Sequence, residues 1–319
     1  MNKCLVIGAG AWGTAIAQVL AKNKISTYLW ARDHKVSREI NISHINQKYF
    51  PNKTLNSKLK SISGSIPVNS FKFVFYVLPS SAFEVFCKKY LQDAKIQNFI
   101  ICSKGLTESG HYLSHQAKLL LNIKNLYFFS GPSFADEVIQ GKPTAMSICG
   151  NKELTKVGSL FVHSNIRIYY SSNIQTIEFL GVIKNIYAIG AGIIDGLDLG
   201  YNARASYITR CIHEIQFALK VYKYNSNHIL SMAGIGDLIL TCSSNKSRNY
   251  NFGFKLIQNK NTTKTKQTIE GYNSSINFQK NSKLSYKQMP ILKSIIKIIN
   301  GSAANKEIKK LLERKFKFE

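Results

Sequence analysis

Acidic residues are scarce in this chain of 319 residues: 17 Asp and Glu stand against 43 Lys and Arg, for a formal charge of +26. Such a surplus points first to a polyanionic partner, either nucleic acid or an anionic membrane surface. The features that would make it a nucleic-acid site are missing, since there is no Arg-rich arm, no zinc-ligand spacing and no interleaved aromatic RNA motif. The basic residues are mostly Lys, scattered, and accompanied by abundant Asn and Ile, as an AT-rich coding sequence would produce. No specific nucleic-acid partner is expected, and the charge suits the attraction of small phosphorylated substrates. The six cysteines, Cys4, Cys87, Cys102, Cys149, Cys211 and Cys242, are far apart, with no CxxC and no HExxH. They read as reduced core thiols, and no metal site is expected. A basic segment followed by a long apolar stretch and a cleavage site is absent from the N-terminus, so the expected compartment is the cytoplasm.

One apolar run stands out. Residues 177–197, IEFLGVIKNIYAIGAGIIDGL, carry Lys184 and Asn185 in their middle. A helix apolar on all sides is normally buried, and Lys is almost never buried without a partner or a task. Gly181, Ala188, Gly190, Ala191 and Gly192 leave the helix thin, so other backbone or a ligand can come close. The polar centre and the glycines argue against a membrane span, and the run is expected to be a buried helix between two domains, 1–175 and 176–319.

The first domain opens with a short apolar strand to Ile7, then Gly8-Ala9-Gly10-Ala11-Trp12-Gly13-Thr14-Ala15, then an amphipathic helix to about Lys22. This is GxGxxG between strand and helix. Gly8 allows the tight turn, Gly10 the close approach of backbone to a pyrophosphate, and Gly13 the packing of helix on strand, while the helix N-terminus attracts the anion. After a second strand, about 20 residues beyond the motif where a ribose-reading side chain belongs, stand Arg32 and Asp33. An Arg can pair with the 2′-phosphate of NADP and an acidic residue with the 2′-hydroxyl of NAD. The cofactor is expected to be NADP, with NAD tolerated. Further strands end at Pro79-Ser80, at Ser103-Lys104-Gly105 and at Ser130-Gly131-Pro132-Ser133-Phe134-Ala135. Ligands sit at the carboxyl edge of such sheets, which makes Lys104 a candidate anion contact and Ser133 a candidate helix cap. Strands over 144–149 and 166–170 complete a doubly wound α/β domain.

Beyond the Lys184 helix strand patterns stop, and an all-α second domain is expected. Asp195-Gly196 reads as a turn and Asn202 as the N-cap of a long helix to about Tyr222. Gly234-Ile235-Gly236-Asp237-Leu238 opens a further helical turn, with Asp237 readable as its cap. In residues 241–253, TCSSNKSRNYNFG, Arg248 with Ser247 and Asn249 is suited to bidentate phosphate binding. Residues 258–267 read as a mobile, Lys/Asn/Thr-rich connector, followed by amphipathic helices over 290–299 and 305–316.

These motifs, with Ser103-Lys104-Gly105-Leu106, Lys184-Asn185 and Glu270-Gly271-Tyr272, stand in the order of a known family. The chain resembles the bacterial NAD(P)-dependent glycerol-3-phosphate dehydrogenases over nearly its whole length. That resemblance implies reversible reduction of dihydroxyacetone phosphate to sn-glycerol 3-phosphate for glycerophospholipid synthesis, by a cytoplasmic homodimer that is not membrane-embedded. It implies Lys184 as general acid/base, with Lys104 and Asp237 as active-site partners and Lys104 as the neighbouring cation that lowers the ammonium pKa. Ser247, Arg248 and Asn249 then hold the substrate phosphate, and Gly131, Ser133, Asn185 and Thr241 line the substrate site. Gly8, Gly10, Ala11, Trp12, Gly13, Arg32, Lys104, Ala135, Arg248, Thr268 and Glu270 are the implied cofactor contacts. Residues 273–288 are more polar than the Ala-rich helix that the resemblance implies there.

Overall fold

A computed structural model describes residues 2–150, 152–258, 269–281, 284 and 288–314. The chain divides into two compact units, Met1–Glu178 and Phe179–Glu319.

The first unit carries β1 (Lys3–Ile7), α1 (Ala11–Lys22), β2 (Ser26–Trp30), α2 (His34–Ser43), β3 (Ile45–Asn46), β4 (Phe50–Thr54), β5 (Lys60–Ile62) and β6 (Phe73–Tyr76). There follow α3 (Phe83–Tyr90), β7 (Lys95–Ile101), α4 (Leu113–Leu120), β8 (Asn122–Ser130), α5 (Ala135–Gln140), β9 (Thr144–Gly150), α6 (Leu154–Gly158) and β10 (Ile166–Ser171). Eight strands form one sheet in the order β5-β2-β1-β6-β7-β8-β9-β10. The chain winds outward from β1 in both directions, so the order reverses between β1 and β6, and ligands of such sheets bind in the crevice at that reversal. β1 and β6 are apolar without alternation and nearly all buried, as strands covered on both faces must be. Leu20 and Ile16 of α1 pack with Val6, Phe75, Ile100 and Phe129 in one core.

Two features depart from the sequence-based reading. β9 runs antiparallel to β8, whereas the remaining neighbours in the sheet are parallel. The segment 44–62, read as no element, holds the β3–β4 hairpin and the edge strand β5. Side chains hold that segment against α1 and α2: the Asn56 N–H donates to Gln18 Oε1 at 2.7 Å, and the Ser61 N–H to Asn41 Oδ1 at 2.7 Å. Such bonds leave no periodic trace in sequence.

The helix α7 (Ile174–Gly196) begins in the first unit and continues through the second. Among the described residues it is the one helix long and apolar enough to cross a membrane, and its apolar window is buried throughout. The second unit adds α8 (Gly200–Val221), α9 (Asp237–Cys242), α10 (Arg248–Gln258), α11 (Glu270–Asn281), α12 (Pro290–Ile299) and α13 (Ala304–Leu312). A Cβ on Gly192 would stand 1.9 Å from the Tyr250 carbonyl oxygen, and one on Gly253 1.9 Å from that of Ile189. The thin face of α7 therefore admits the backbone of α10, as two glycines at a helix crossing allow.

Two boundaries need correction. α7 runs through Asp195-Gly196, where a turn was expected, and Asp195 instead joins helices by accepting from Arg204 of α8 at 2.6 Å and from the Tyr250 hydroxyl of α10. α8 starts before Asn202, with Leu199 at its N-cap, so Asn202 is not a cap. Of the polar tract 273–288, residues 273–281 belong to a helix, α11, which buries small serines, Ser274 and Ser275, with Phe278. Most of the expected connector, 259–267, lies outside the described residues.

Candidate active site

In the first unit, Gly8 stands at φ +120°, a conformation that favours glycine. A Cβ on Gly13 would fall 1.9 Å from the Gly8 carbonyl oxygen, whereas nothing lies within 4 Å of a Cβ built on Gly10. Loop and helix thus fit against each other without side chains, and the outer surface at Gly10 is clear for a pyrophosphate. Trp12 stacks on Phe129, with ring centroids 6.3 Å apart. Helices α1 and α5 pack together, which brings Ala135, the first residue of α5, against the same core as Trp12.

Arg32 follows β2 and is exposed. Asp33 is the N-cap of α2, accepting from the Lys35 N–H at 2.8 Å. Lys104 Nζ donates to the Gly131 carbonyl at 3.2 Å, joining the loops after β7 and β8. At Gly131 a Cβ would come 2.8 Å from the Ala145 carbonyl oxygen. Ser133 does not cap α5, whose N-cap is Phe134, and its hydroxyl donates to the Gly131 carbonyl at 3.2 Å.

In the second unit Lys184 is 6% exposed and its ammonium donates to Asp237 Oδ1 at 2.9 Å and to Thr241 Oγ1 at 2.8 Å. Thr241, one turn beyond Asp237 on α9, donates its own proton to the Asp237 carbonyl at 2.6 Å. Its lone pair therefore faces the ammonium. Asp237 is not a cap, because Gly236 holds the N-cap position and Asp237 begins the helix. Gly234 makes the approach to α9 possible: its φ/ψ of −91°/−107° break the preceding turn, and a Cβ there would strike the Ile229 carbonyl at 2.3 Å. Burial pushes the neighbouring Cys242 thiol up to about 12, against the opposing pull of the Lys184 charge.

Asn185, next on α7, organises a second polar cluster. Its Nδ2 donates to Glu270 Oε2 at 3.2 Å, and its Oδ1 accepts from Asn249 Nδ2 at 2.9 Å. Asn249 Oδ1 then accepts the Gly271 N–H at 2.9 Å. A Cβ on Gly271 would lie 2.3 Å from the Asn185 carbonyl. Ser247 accepts the Tyr250 N–H at 3.2 Å and so caps α10, leaving Arg248, exposed, as the first residue of that helix. Thr268 lies outside the described residues.

Two family models cover the chain: the N-terminal part of NAD-dependent glycerol-3-phosphate dehydrogenase matches residues 3–155, and its C-terminal part residues 173–310. The chain belongs to this dehydrogenase family. It is 31% identical to the glycerol-3-phosphate dehydrogenase, NAD(P)+ type, of Erythrobacter litoralis, over 98% of this chain and 97% of that one. The enzyme of the same name from Halorhodospira halophila is 32% identical, again over 98% and 97%. Among solved structures, the glycerol-3-phosphate dehydrogenase of Coxiella burnetii superposes with a TM-score of 0.86 at 30% identity, covering 98% of this chain and 99% of that one. The fold class read from sequence, a Rossmann-like sheet followed by helices, agrees with that structure.

The structure thus brings the expected residues of this family member into separate clusters: the glycine loop with Trp12, Lys104 with Gly131 and Ser133, Lys184 with Asp237 and Thr241, and Asn185 with Asn249 and Glu270. Sequence reasoning passed over Glu178, which sits in the same apolar run as Lys184. It is buried on α7 and accepts from the Ser114 N–H at 3.1 Å and from the Ser114 hydroxyl. The signal was the one that singled out Lys184, a charged residue among apolar ones. Asn46, buried beside the glycine loop, carried no such signal.

Proposed function

We propose that this chain catalyses the reversible NAD(P)H-dependent reduction of dihydroxyacetone phosphate to sn-glycerol 3-phosphate, with Lys184 as general acid/base. The observation that carries the assignment is the buried Lys184–Asp237–Thr241 cluster. The cofactor, when bound, supplies the hydride to the substrate C2 carbonyl. The developing alkoxide then needs a proton, and the Lys184 ammonium provides it; in the oxidative direction the neutral amine takes it back. Asp237 fixes the ammonium in place and offsets the cost of burying it, while Thr241 orients it by accepting a second N–H.

Ser247, Arg248 and Asn249, at the N-terminal end of α10, hold the substrate's remote phosphate, where the helix dipole and a guanidinium both favour an anion. Lys104, Gly131 and Ser133 are further substrate contacts that the family resemblance supports, and Lys104 is also a cofactor contact. Gly8, Gly10, Ala11, Trp12, Gly13, Ala135, Arg248, Thr268 and Glu270 hold the cofactor. Because the Asp33 carboxylate is engaged in capping α2, Arg32 reads the ribose side, favouring NADPH while admitting NADH. The enzyme acts in the cytoplasm as a homodimer and feeds glycerophospholipid synthesis.

The test follows NADH and NADPH oxidation by absorbance with dihydroxyacetone phosphate as sole substrate. Lys184→Met should lower kcat by about 100-fold or more while NADPH binding persists. Arg248→Ala should raise KM for the phosphorylated substrate at least about tenfold. Retained turnover in the first variant rejects the lysine's role, and an unchanged KM in the second rejects the phosphate grip.

A further inference from the structure

Asn46 lies in β3, in the hairpin that the glycine motif does not include, and it is wholly buried. Its Nδ2 donates to the Ala9 carbonyl at 3.0 Å and to Thr14 Oγ1 at 2.9 Å. Ala9 lies inside the GxGxxG loop, and Thr14 follows its last glycine in the first turn of α1. The orientation of the amide is fixed, because a carbonyl oxygen can face only its NH2 end. Asn46 Oδ1 is buried with no hydrogen-bond partner among the described residues. The side chain is therefore held for what its NH2 end does, since burying an unpaired carbonyl oxygen is costly.

Planarity turns this contact into a constraint on the ligand side. In a trans peptide the C=O of one residue and the N–H of the next point in opposite directions. Holding the Ala9 carbonyl toward Asn46 aims the Gly10 N–H away from it. Gly10 is the N-cap of α1, with its own carbonyl accepting the Thr14 N–H at 2.9 Å. The second Asn46 bond, to the Thr14 hydroxyl, ties the same amide to that turn. One side chain thus fixes both the peptide plane before the helix and the start of the helix. Glycines leave the loop free to rotate, and an anion site of backbone N–H groups gains affinity when its donors are already aimed.

We infer that Asn46 is a positioning residue for the pyrophosphate of the dinucleotide: it locks the Ala9–Gly10 peptide so that the Gly10 N–H presents to the ligand. This rests on the cofactor reading given above. Asn46→Asp keeps size and shape but sets an oxygen against the Ala9 carbonyl, and Asn46→Ala removes the donor altogether.

The decisive measurement is the Kd of the full chain for NADPH, NADH and ADP-ribose, by titration calorimetry. Both variants should bind all three about tenfold more weakly or worse, while KM for dihydroxyacetone phosphate at saturating cofactor stays within about twofold of the unsubstituted enzyme. A merely structural asparagine would lower the melting temperature and leave these constants unchanged, which overturns the inference. Absence of NADH and NADPH binding in the unsubstituted protein overturns the cofactor reading, and this inference with it. A variant that does not fold is replaced by a measurement on the unsubstituted protein: the Asn46 side-chain amide protons should be protected from exchange with water, with and without ADP-ribose, and exchange at the rate of a solvated amide overturns the inference.

Discussion

Lys184 and Asp237 are 6% and 2% exposed, and their energetics can be isolated with a double-mutant cycle. At the observed 2.9 Å the gross attraction of two unit charges is about 6 kcal/mol at an effective dielectric near 20. Most of that is offset by removing both charges from water. The net pair is therefore worth little, while either partner alone is expensive. Lys184→Met leaves a carboxylate buried beside a thioether; Asp237→Asn leaves an ammonium with two neutral acceptors. Each should destabilise the protein by about 3–5 kcal/mol. The double variant, neutral at both positions, should be destabilised by less than the sum of the two, with a coupling of about 2–3 kcal/mol. Urea unfolding of the four proteins at constant pH measures it, provided the slope with denaturant is unchanged. Additivity within about 0.5 kcal/mol would refute the reasoning, and with it the role of Asp237 as the group that keeps a buried ammonium tolerable.

The remaining predictions concern packing and pH. Burial pushes the Glu178 carboxyl up to about 7, outweighing the Ser114 hydroxyl and the Ser114 and Leu113 N–H groups that stabilise the anion. With a folded pKa above the unfolded one, its contribution is fully present below about pH 4.5 and is lost as pH rises through about 7, a loss of about 3 kcal/mol. Glu178→Gln should therefore flatten the stability profile between pH 5 and pH 8 by about that amount, and equal pH slopes in the two proteins would reject the assignment. Gly253→Ala, although favoured by helix propensity by about 1 kcal/mol, must push a methyl into the Ile189 carbonyl 1.9 Å away. A net loss of about 2 kcal/mol or more is expected, and a variant as stable as the parent would show that α7 and α10 do not touch there.

The parts of the site that were legible in sequence are those made by local geometry. Gly8, Gly10 and Gly13 lie within one turn-and-helix unit whose spacing itself encodes the strand-to-helix junction. The thinness of α7 was readable because Ala188, Gly190, Ala191 and Gly192 stand close together in sequence, although what it admits, α10, was not. Contacts between distant residues were invisible to pattern: Lys184 and Asp237 are 53 positions apart, and nothing about Asp237 alone separates a helix cap from a countercharge. The family resemblance supplied that pairing. Ser133 and Asn202 show the converse. Both residue types favour caps, yet Phe134 and Leu199 hold those positions, because tertiary packing sets where the helices begin. The β3–β4 hairpin had no periodicity to find, for it is short, polar and tied to the glycine loop by the Asn46 side chain.

The scarcity of acidic residues takes on meaning once their places are known. Of the 17 in the chain, several are spent on hydrogen bonds and ion pairs within the molecule. Asp33 accepts the Lys35 N–H at the start of α2, Glu178 the Ser114 N–H at the start of α4, and Glu214 the Ile291 and Leu292 N–H groups at 2.7 and 3.0 Å in the first turn of α12. Each satisfies donors that a helix start leaves unpaired, and when ionised each places negative charge at the positive end of a helix dipole. Asp195 ties α7 to α8 and α10, and Asp237 answers Lys184. Of these, Glu178, Glu214 and Asp237 are buried. The surplus itself belongs to the composition, 43 Lys and Arg against 17 Asp and Glu wherever they sit, and a net positive charge of that size favours the approach of anionic ligands.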